Sequence, residues 1–368
     1  MNLSSINPTK YLDYLLNPFE GGRSKKMLQS NPTAPPGRVE PEKSLITVYD
    51  YTKEEITVHE LQTVEQAFKF SGTPSVTWVN IEGLRKDTVD RICTHFGIHP
   101  LIAEDILSIG HRPKTEDVNG LVYCLLYMLS FNEKSFCIET EQVSIILGKN
   151  FVLTFQEEAH RDPFTPMRDK IKLDGSKVRQ NGADFLFYSL LDNIVDHYFV
   201  VMEKMGDKIE LLEEEIIKKV TNRSIVKINN IRKEMIVLKR SIAPVRELIS
   251  ALMRNESELI EENTQKYLKD VYDHIIQAND ISENYRDLMM NLHDLYLSNV
   301  NLKMNEVMKV MAVVTCLLAP ATVIGGIFGM NFDYIPFAHV WWGFYATVSL
   351  MLLIPVIMIV IFRKRGWF

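Results

Sequence analysis

Residues 310–332 read VMAVVTCLLAPATVIGGIFGMNF, and residues 340–362 read VWWGFYATVSLMLLIPVIMIVIF. Neither run of 23 residues contains a charge. A helix needs about 20 apolar residues to cross the hydrocarbon core, so each run is long enough to span it. Two buried core helices are the other reading, but two runs of this length fall outside ordinary globular usage. The pair predicts a transmembrane hairpin with its external loop at 333–339.

Charge sets the expected orientation. Lys303 and Lys309 precede the first run, and Arg363, Lys364 and Arg365 follow the second. The loop from Asp333 to His339 has neither Lys nor Arg. Basic residues favour the cytoplasmic side, which predicts a multi-pass protein of the cell (inner) membrane with both termini inside. Trp341, Trp342, Tyr345 and Trp367 suit the two interfacial belts.

The rest of the 368 residues is far more polar, and the net charge is -6. The acidic balance argues against a nucleic-acid partner. Cys93, Cys124, Cys137 and Cys316 form no C-x-x-C pair, so neither a disulfide framework nor a zinc site is expected. Met1 to Leu16 lacks the apolar stretch of a secretory signal.

Residues 1–44, with NPTAPPG at 31–37, predict a mobile tail. Residues 45–182 mix the two periodicities and predict an α+β cytoplasmic domain. Strands are expected at 46–49, 76–81 and 121–131, and a hairpin of 142–147 with 151–155 about Gly148-Lys149-Asn150. Helices are expected at 86–96 and 100–107. The chain from 183 to 309 predicts a stalk of long helices, at 184–220 and 225–254, with a third helix expected over 263–325. No proline stands between Asn263 and Pro320. A helix from 263 into the first span would be roughly 80 to 90 Å long at 1.5 Å per residue, which calls for self-packing or other long helices beside it.

One face of the first span carries Asn301, Asn305, Met308, Ala312, Thr315, Ala319, Thr322 and Gly326. The 4-3-4-3 spacing makes a single helical seam of small, polar or methionine side chains. Both a packing seam and a pore wall satisfy that pattern. A single hairpin cannot enclose a water-filled path, so a pore would need a cyclic homo-oligomer.

Gly329-Met330-Asn331, ending the first of two C-terminal spans, resembles the signature of the CorA family of magnesium channels. Pro100 to Leu107, Arg112-Pro113-Lys114, Glu141 to Ser144, Asp270 to His274 and Asn305 to Lys309 agree with it. The resemblance covers 45–368. It implies a funnel-shaped homopentamer in the lipid bilayer, passing Mg2+, with Co2+ or Ni2+ as further cargo, and closed by cytoplasmic Mg2+. It implies a selectivity filter of Gly329, Met330 and Asn331. Asn305, Met308, Met311, Thr322 and Gly326 would line the pore, with Thr315 on the same seam and Asp294 adding an acidic ring. Glu104, Asp105, Asp192 and Asp270 would hold regulatory metal between subunits. Phe337 after Pro336, where relatives often carry an acid, and Ala319, where some carry methionine, depart from the pattern.

Asn331 alone would equally suit a helix C-cap. Glu213-Glu214-Glu215 reads as a solvated helix face, and Gly97 with Pro100 breaks any helix pairing His95 with His99. No H-E-x-x-H, P-loop or G-x-G-x-x-G after a strand is present, so neither an enzyme nor ATP-driven transport is expected, and no protein substrate is implied. A zinc transporter of the same architecture and a non-conducting membrane-anchored metal sensor or scaffold are the alternatives.

Overall fold

The computed structural model describes residues 40–157, 164–254, 257–331, 335–337 and 340–367. The tail expected at 1–44 lies outside these residues as far as 39, and so does most of the expected loop at 333–339, Asp333 included. The described chain forms two units. One holds the residues up to Glu214 together with Asn222–Asn291; the other holds Glu215–Thr221 and Leu292 onward. The boundary expected at 182/183 falls inside the first unit.

The first unit is built on seven strands: β1 Leu45–Tyr51, β2 Ile56–Leu61, β3 Val76–Glu82, β4 Lys114–Val118, β5 Leu121–Asn132, β6 Cys137–Leu147 and β7 Phe151–Gln156. Their order is β2-β1-β3-β7-β6-β5-β4, and only β3 with β7 runs parallel. The edge strands β2 and β4 were not anticipated. Their polar composition hides them, although Asn119-Gly120 marks the β4–β5 turn. Both residues take the left-handed backbone that such a two-residue hairpin needs.

Alternation along the strands aims Ile46, Val48, Val79, Ile81, Leu153 and Phe155 at one face. There they meet Val89 and Ile92 of α1 (Lys86–His95) and Ile102 and Ile106 of α2 (Pro100–Leu107). His95 stacks on Phe68 with ring centroids 4.0 Å apart, and the His99 side chain caps α2 by accepting from the Leu101 N–H. The two histidines thus have separate structural roles.

The opposite face holds a buried polar ladder. Trp78 Nε1 donates to Thr154 Oγ1 at 2.9 Å, and that hydroxyl donates to Asn80 Oδ1 at 2.6 Å. Asn80 Nδ2 donates to Glu82 Oε1, which also receives the Arg168 guanidinium of α3 (Thr165–Lys172) at 2.8 Å. The ladder spans β3 and β7 and pins their register. A short helix, α4 (Lys177–Gln180), leads to the long helices α5 (Ala183–Lys218) and α6 (Asn222–Arg254). The Tyr198 hydroxyl of α5 donates to the Tyr127 carbonyl of β5.

Helix α7 runs from Glu262 to Phe328, 67 residues, and α8 from Gly343 to Lys364. Among the described residues, three helices are long and apolar enough to cross a membrane, and burial separates them. The apolar window of α5 is 67% buried within the chain, against 6% for α7 and 0% for α8. Only the last two need another apolar medium. In the second unit α7 turns Val313, Leu317, Ala321 and Ile324 inward, and α8 answers with Thr347, Met351, Ile354 and Met358. Gly343 starts α8 where a Cβ would stand 2.1 Å from the Phe337 carbonyl oxygen.

Thr154→Val keeps the side-chain shape but strands both Trp78 Nε1 and Asn80 Oδ1. Two unpaired buried polar groups should cost about 2–5 kcal/mol. Urea unfolding of the full-length protein in detergent should register it as a lower midpoint. An unchanged midpoint would mean that the ladder does not hold the sheet.

Candidate ion pathway and metal centre

The first candidate site lies along α7 and just past its end. Asn301, Asn305, Met308, Ala312, Thr315, Ala319, Thr322 and Gly326 are all exposed in the single chain. The face turned toward α8 is a different one. Gly325 faces Met351, whose methyl would lie 3.7 Å from an added Cβ, whereas nothing stands within 4 Å of a Cβ added at Gly326. The small-residue seam is therefore not the packing surface of the hairpin.

Its hydroxyls have a defined polarity. Thr315 Oγ1 donates to the Met311 carbonyl at 2.8 Å, and Thr322 Oγ1 to the Leu318 carbonyl at 3.1 Å. With the proton committed to its own helix, each oxygen has its lone pairs left as acceptors. Pro320 lies within α7 and lacks the N–H that would bond the Cys316 carbonyl.

The helix ends at Phe328, four residues before the expected end of the span at 332. Gly329 N–H still donates to the Gly325 carbonyl, and Met330 N–H to Ile327 at 3.3 Å, a tightened last turn. Gly329, Met330 and Asn331 thus stand at the exit of α7, all exposed. Among the described residues, the non-glycine positions with left-handed backbone are Asn119, Phe136 and Phe337. Asn331 is not a left-handed cap. Met311 is exposed on α7, and Asp294 is exposed beside His293, Nδ1 to Oδ1 3.7 Å.

The second candidate site lies in the first unit. Asp192 and Asp196 are four apart on α5, and His274 is on α7. One ligand atom from each falls within 4.8 Å of the others. His274 Nδ1 is buried without a hydrogen-bond partner among the described residues and lies 4.0 Å from Asp196 Oδ1. The Asp192 carboxyl is pushed from its ordinary 3.8 to about 6, by burial first and then by the Asp196 charge, with Asp270 adding to it. His274 and Lys170 oppose that shift. Two crowded carboxylates and an unpaired imidazole nitrogen suit a divalent cation. The carboxylates fit hard Mg2+, and the imidazole adds affinity for Co2+.

Of the expected regulatory acids, Asp192 and Asp270 act on one another here, whereas Glu104 and Asp105 are not in this group. Glu104 is exposed. Asp105 accepts from Lys114 Nζ at 2.6 Å and stands 3.7 Å from His111 Nε2. Asp196 and His274 were missed. Their signal was the i, i+4 spacing from Asp192 and from Asp270, which puts each pair on one helical face.

The sequence model of the CorA-like Mg2+ transporter proteins matches residues 74–364. The cobalt/magnesium transport protein CorA of Thermotoga maritima is 41% identical over 323 residues, 88% of this chain and 92% of that protein. The chain belongs to the CorA family. The complete structure of the CorA magnesium transporter from Methanocaldococcus jannaschii has the same fold, with a TM-score of 0.73 at 24% identity, over 88% of this chain and 99% of that one. The cytoplasmic domain of ZntB from Vibrio parahaemolyticus is similar with a TM-score of 0.57 at 14% identity, over 70% of this chain and 98% of its own. At these identities the likeness is one of fold. As a CorA-family protein the chain is a membrane protein, and α7 and α8 supply its apolar helices.

The Asp192 shift fixes a pH dependence. Its carboxyl holds a proton in the folded chain that the unfolded chain releases, so metal-free stability falls as pH rises from about 4 through about 6. Co2+ or Mg2+ should raise the melting temperature at about pH 7.5 and do so less below about pH 6. Asp192→Asn should raise the metal-free melting temperature and shrink the Co2+ effect. An unchanged Co2+ effect in that variant would remove Asp192 from the centre.

Proposed function

We propose that the chain is a channel for Mg2+, and for Co2+ by the same route, running down the electrochemical gradient. The observation that carries this reading is Gly329-Met330-Asn331 at the exit of a helix whose small, acceptor-bearing seam no part of α8 covers. Copies of α7 arranged about an axis, five by the family resemblance, turn those seams into one wall. The segments 310–332 and 340–362 cross the inner membrane, and both termini are cytoplasmic, in keeping with the Lys and Arg positions.

Mg2+ dehydrates reluctantly and keeps its waters. The cargo at the mouth is therefore the hydrated ion. Asn331 amide oxygens and Gly329 carbonyls accept hydrogen bonds from its waters, which needs a wide ring of neutral acceptors. Farther along, Thr322, Thr315 and Asn305 offer further acceptors, and Gly326 gives width. Met308 and Met311 form an apolar constriction that closes by dewetting. Asp294 adds a ring of negative charge on the cytoplasmic side. Two charges moving inward across 100 mV gain about 4.6 kcal/mol, so no coupled reaction is required.

Closure is assigned to cytoplasmic Mg2+. Asp192 and Asp270, with Asp196 and His274 beside them, carry crowded charge that a divalent cation relieves. Glu104 and Asp105 complete the regulatory set across subunits, with Lys114 occupying Asp105 in the absence of metal. Metal thereby favours one packing of the cytoplasmic part, and its loss releases that packing. The ZntB likeness concerns fold and gives zinc no separate support.

Purified protein in liposomes should take up Mg2+, and Asn331→Ala should cut that flux by at least about tenfold, the loss of about 1.4 kcal/mol of ion recognition. Full flux and unaltered Mg2+ preference in Asn331→Ala would overturn the filter assignment. No flux from the unaltered chain would favour the scaffold reading.

A further inference from the structure

The first unit contains a cavity of about 900 Å³ that the ion pathway and metal centre leave unused. It opens between the segment after α2, strands β5 and β6, and helices α6 and α7. Its inner wall is apolar: Pro113, Met235, Pro244 and Met289 are buried there. Among the described residues, two buried polar atoms of that wall have no hydrogen-bond partner. Ser282 is 3% exposed and its hydroxyl has no partner among the described residues. Gln142 is 2% exposed; its Nε2 is committed to the Asp105 and Ser108 carbonyls at 3.0 Å, and its Oε1 has no partner among the described residues. A buried polar atom without a partner costs free energy that a bound donor or acceptor would recover.

The rim is cationic. Arg112, Arg232, Lys239, Arg240 and Arg286 line the cavity, against one carboxylate among the described residues, Glu157. Arg112 pairs with Glu247, Lys239 with Glu283 and Arg286 with Asp287, acids outside the cavity lining. Those pairs are exposed and weakly held, so a multivalent anion can take their cations over at small cost. Arg232 is exposed and has no ion-pair partner among the described residues.

We propose that this cavity binds a nucleoside phosphate, with the base on the apolar wall and the phosphates at the arginine rim. The fit excludes simpler ligands. A bare phosphate would leave the apolar wall wet, and a fatty anion would leave Gln142 Oε1 and Ser282 Oγ unpaired. A base carries ring surface for Met235 and Met289, an amino donor for Gln142 Oε1 and acceptors for the Ser282 hydroxyl. Arginine recognises phosphate with paired donors. Gln142 also bonds the Asp105 carbonyl, so occupancy bears on the end of α2.

Equilibrium binding of ATP to the full-length protein in detergent, with divalent metal chelated, tests this. ATP should bind saturably, and Arg232→Glu should weaken it by at least about tenfold, the loss of one charge-assisted contact. Ser282→Leu, which fills the wall, should do the same. Orthophosphate and oleate should each compete at least about tenfold more weakly than ATP. Arg232 is exposed and unpaired, so its variant folds even where Ser282→Leu does not. Absence of saturable binding up to about 1 mM, equal ATP affinity in Arg232→Glu, or orthophosphate or oleate competing as well as ATP would each overturn the proposal.

Discussion

A polar backbone or side-chain atom facing hydrocarbon must find a partner within the protein, and that requirement governs the C-terminal part of this chain. Helices α7 and α8 satisfy their own main chains. Pro320 interrupts one of those bonds, and the hydroxyls of Thr315 and Thr322 are turned back onto their own helix. What α8 does not cover is the seam from Ala312 to Gly326. A face of small side chains and hydroxyl lone pairs gains little from lipid tails and much from water or from another copy. Assembly and a water-filled path are two answers to one constraint.

The first unit solves a different problem. Its sheet is covered on both faces, with an apolar layer under α1 and α2 and a polar ladder from Trp78 to Arg168 on the other side. That rigid base supports α5, whose apolar stripe looks like a membrane span by composition but is spent inside the chain. Against it, Asp192 and Asp196 are held with His274 at separations that unmet negative charge disfavours. Helix α7 contributes His274 near its start and leads to Gly329-Met330-Asn331 just past its end, so one unbroken element carries residues of both candidate sites.

Much of this was legible from residue order. The two uncharged runs gave the hairpin, and strand alternation placed β1, β3, β5 and the β6–β7 hairpin. The triplet at 329–331 led to the family and, through it, to Asp192 and Asp270. The polar edge strands β2 and β4 were not legible, because one exposed face and short length erase the alternation. Asp196 and His274 were hidden for another reason. The candidate metal centre is assembled by contact between α5 and α7, and 82 positions separate Asp192 from His274. The arginine-rimmed cavity draws on residues from Ile109 to Met290 and has no local signature at all.

The central claim is that the uncovered seam of α7 faces water while its α8-facing side does not. Single added cysteines along α7, in a chain with Cys137 and Cys316 replaced by alanine and with Cys93 and Cys124 buried, test it through their reaction with a charged, membrane-impermeant thiol reagent. Positions 312, 315, 319 and 322 should react, and Mg2+ should change their rates, while 317, 321 and 324 should stay inert. Seam positions as inert as those against α8 would contradict the account.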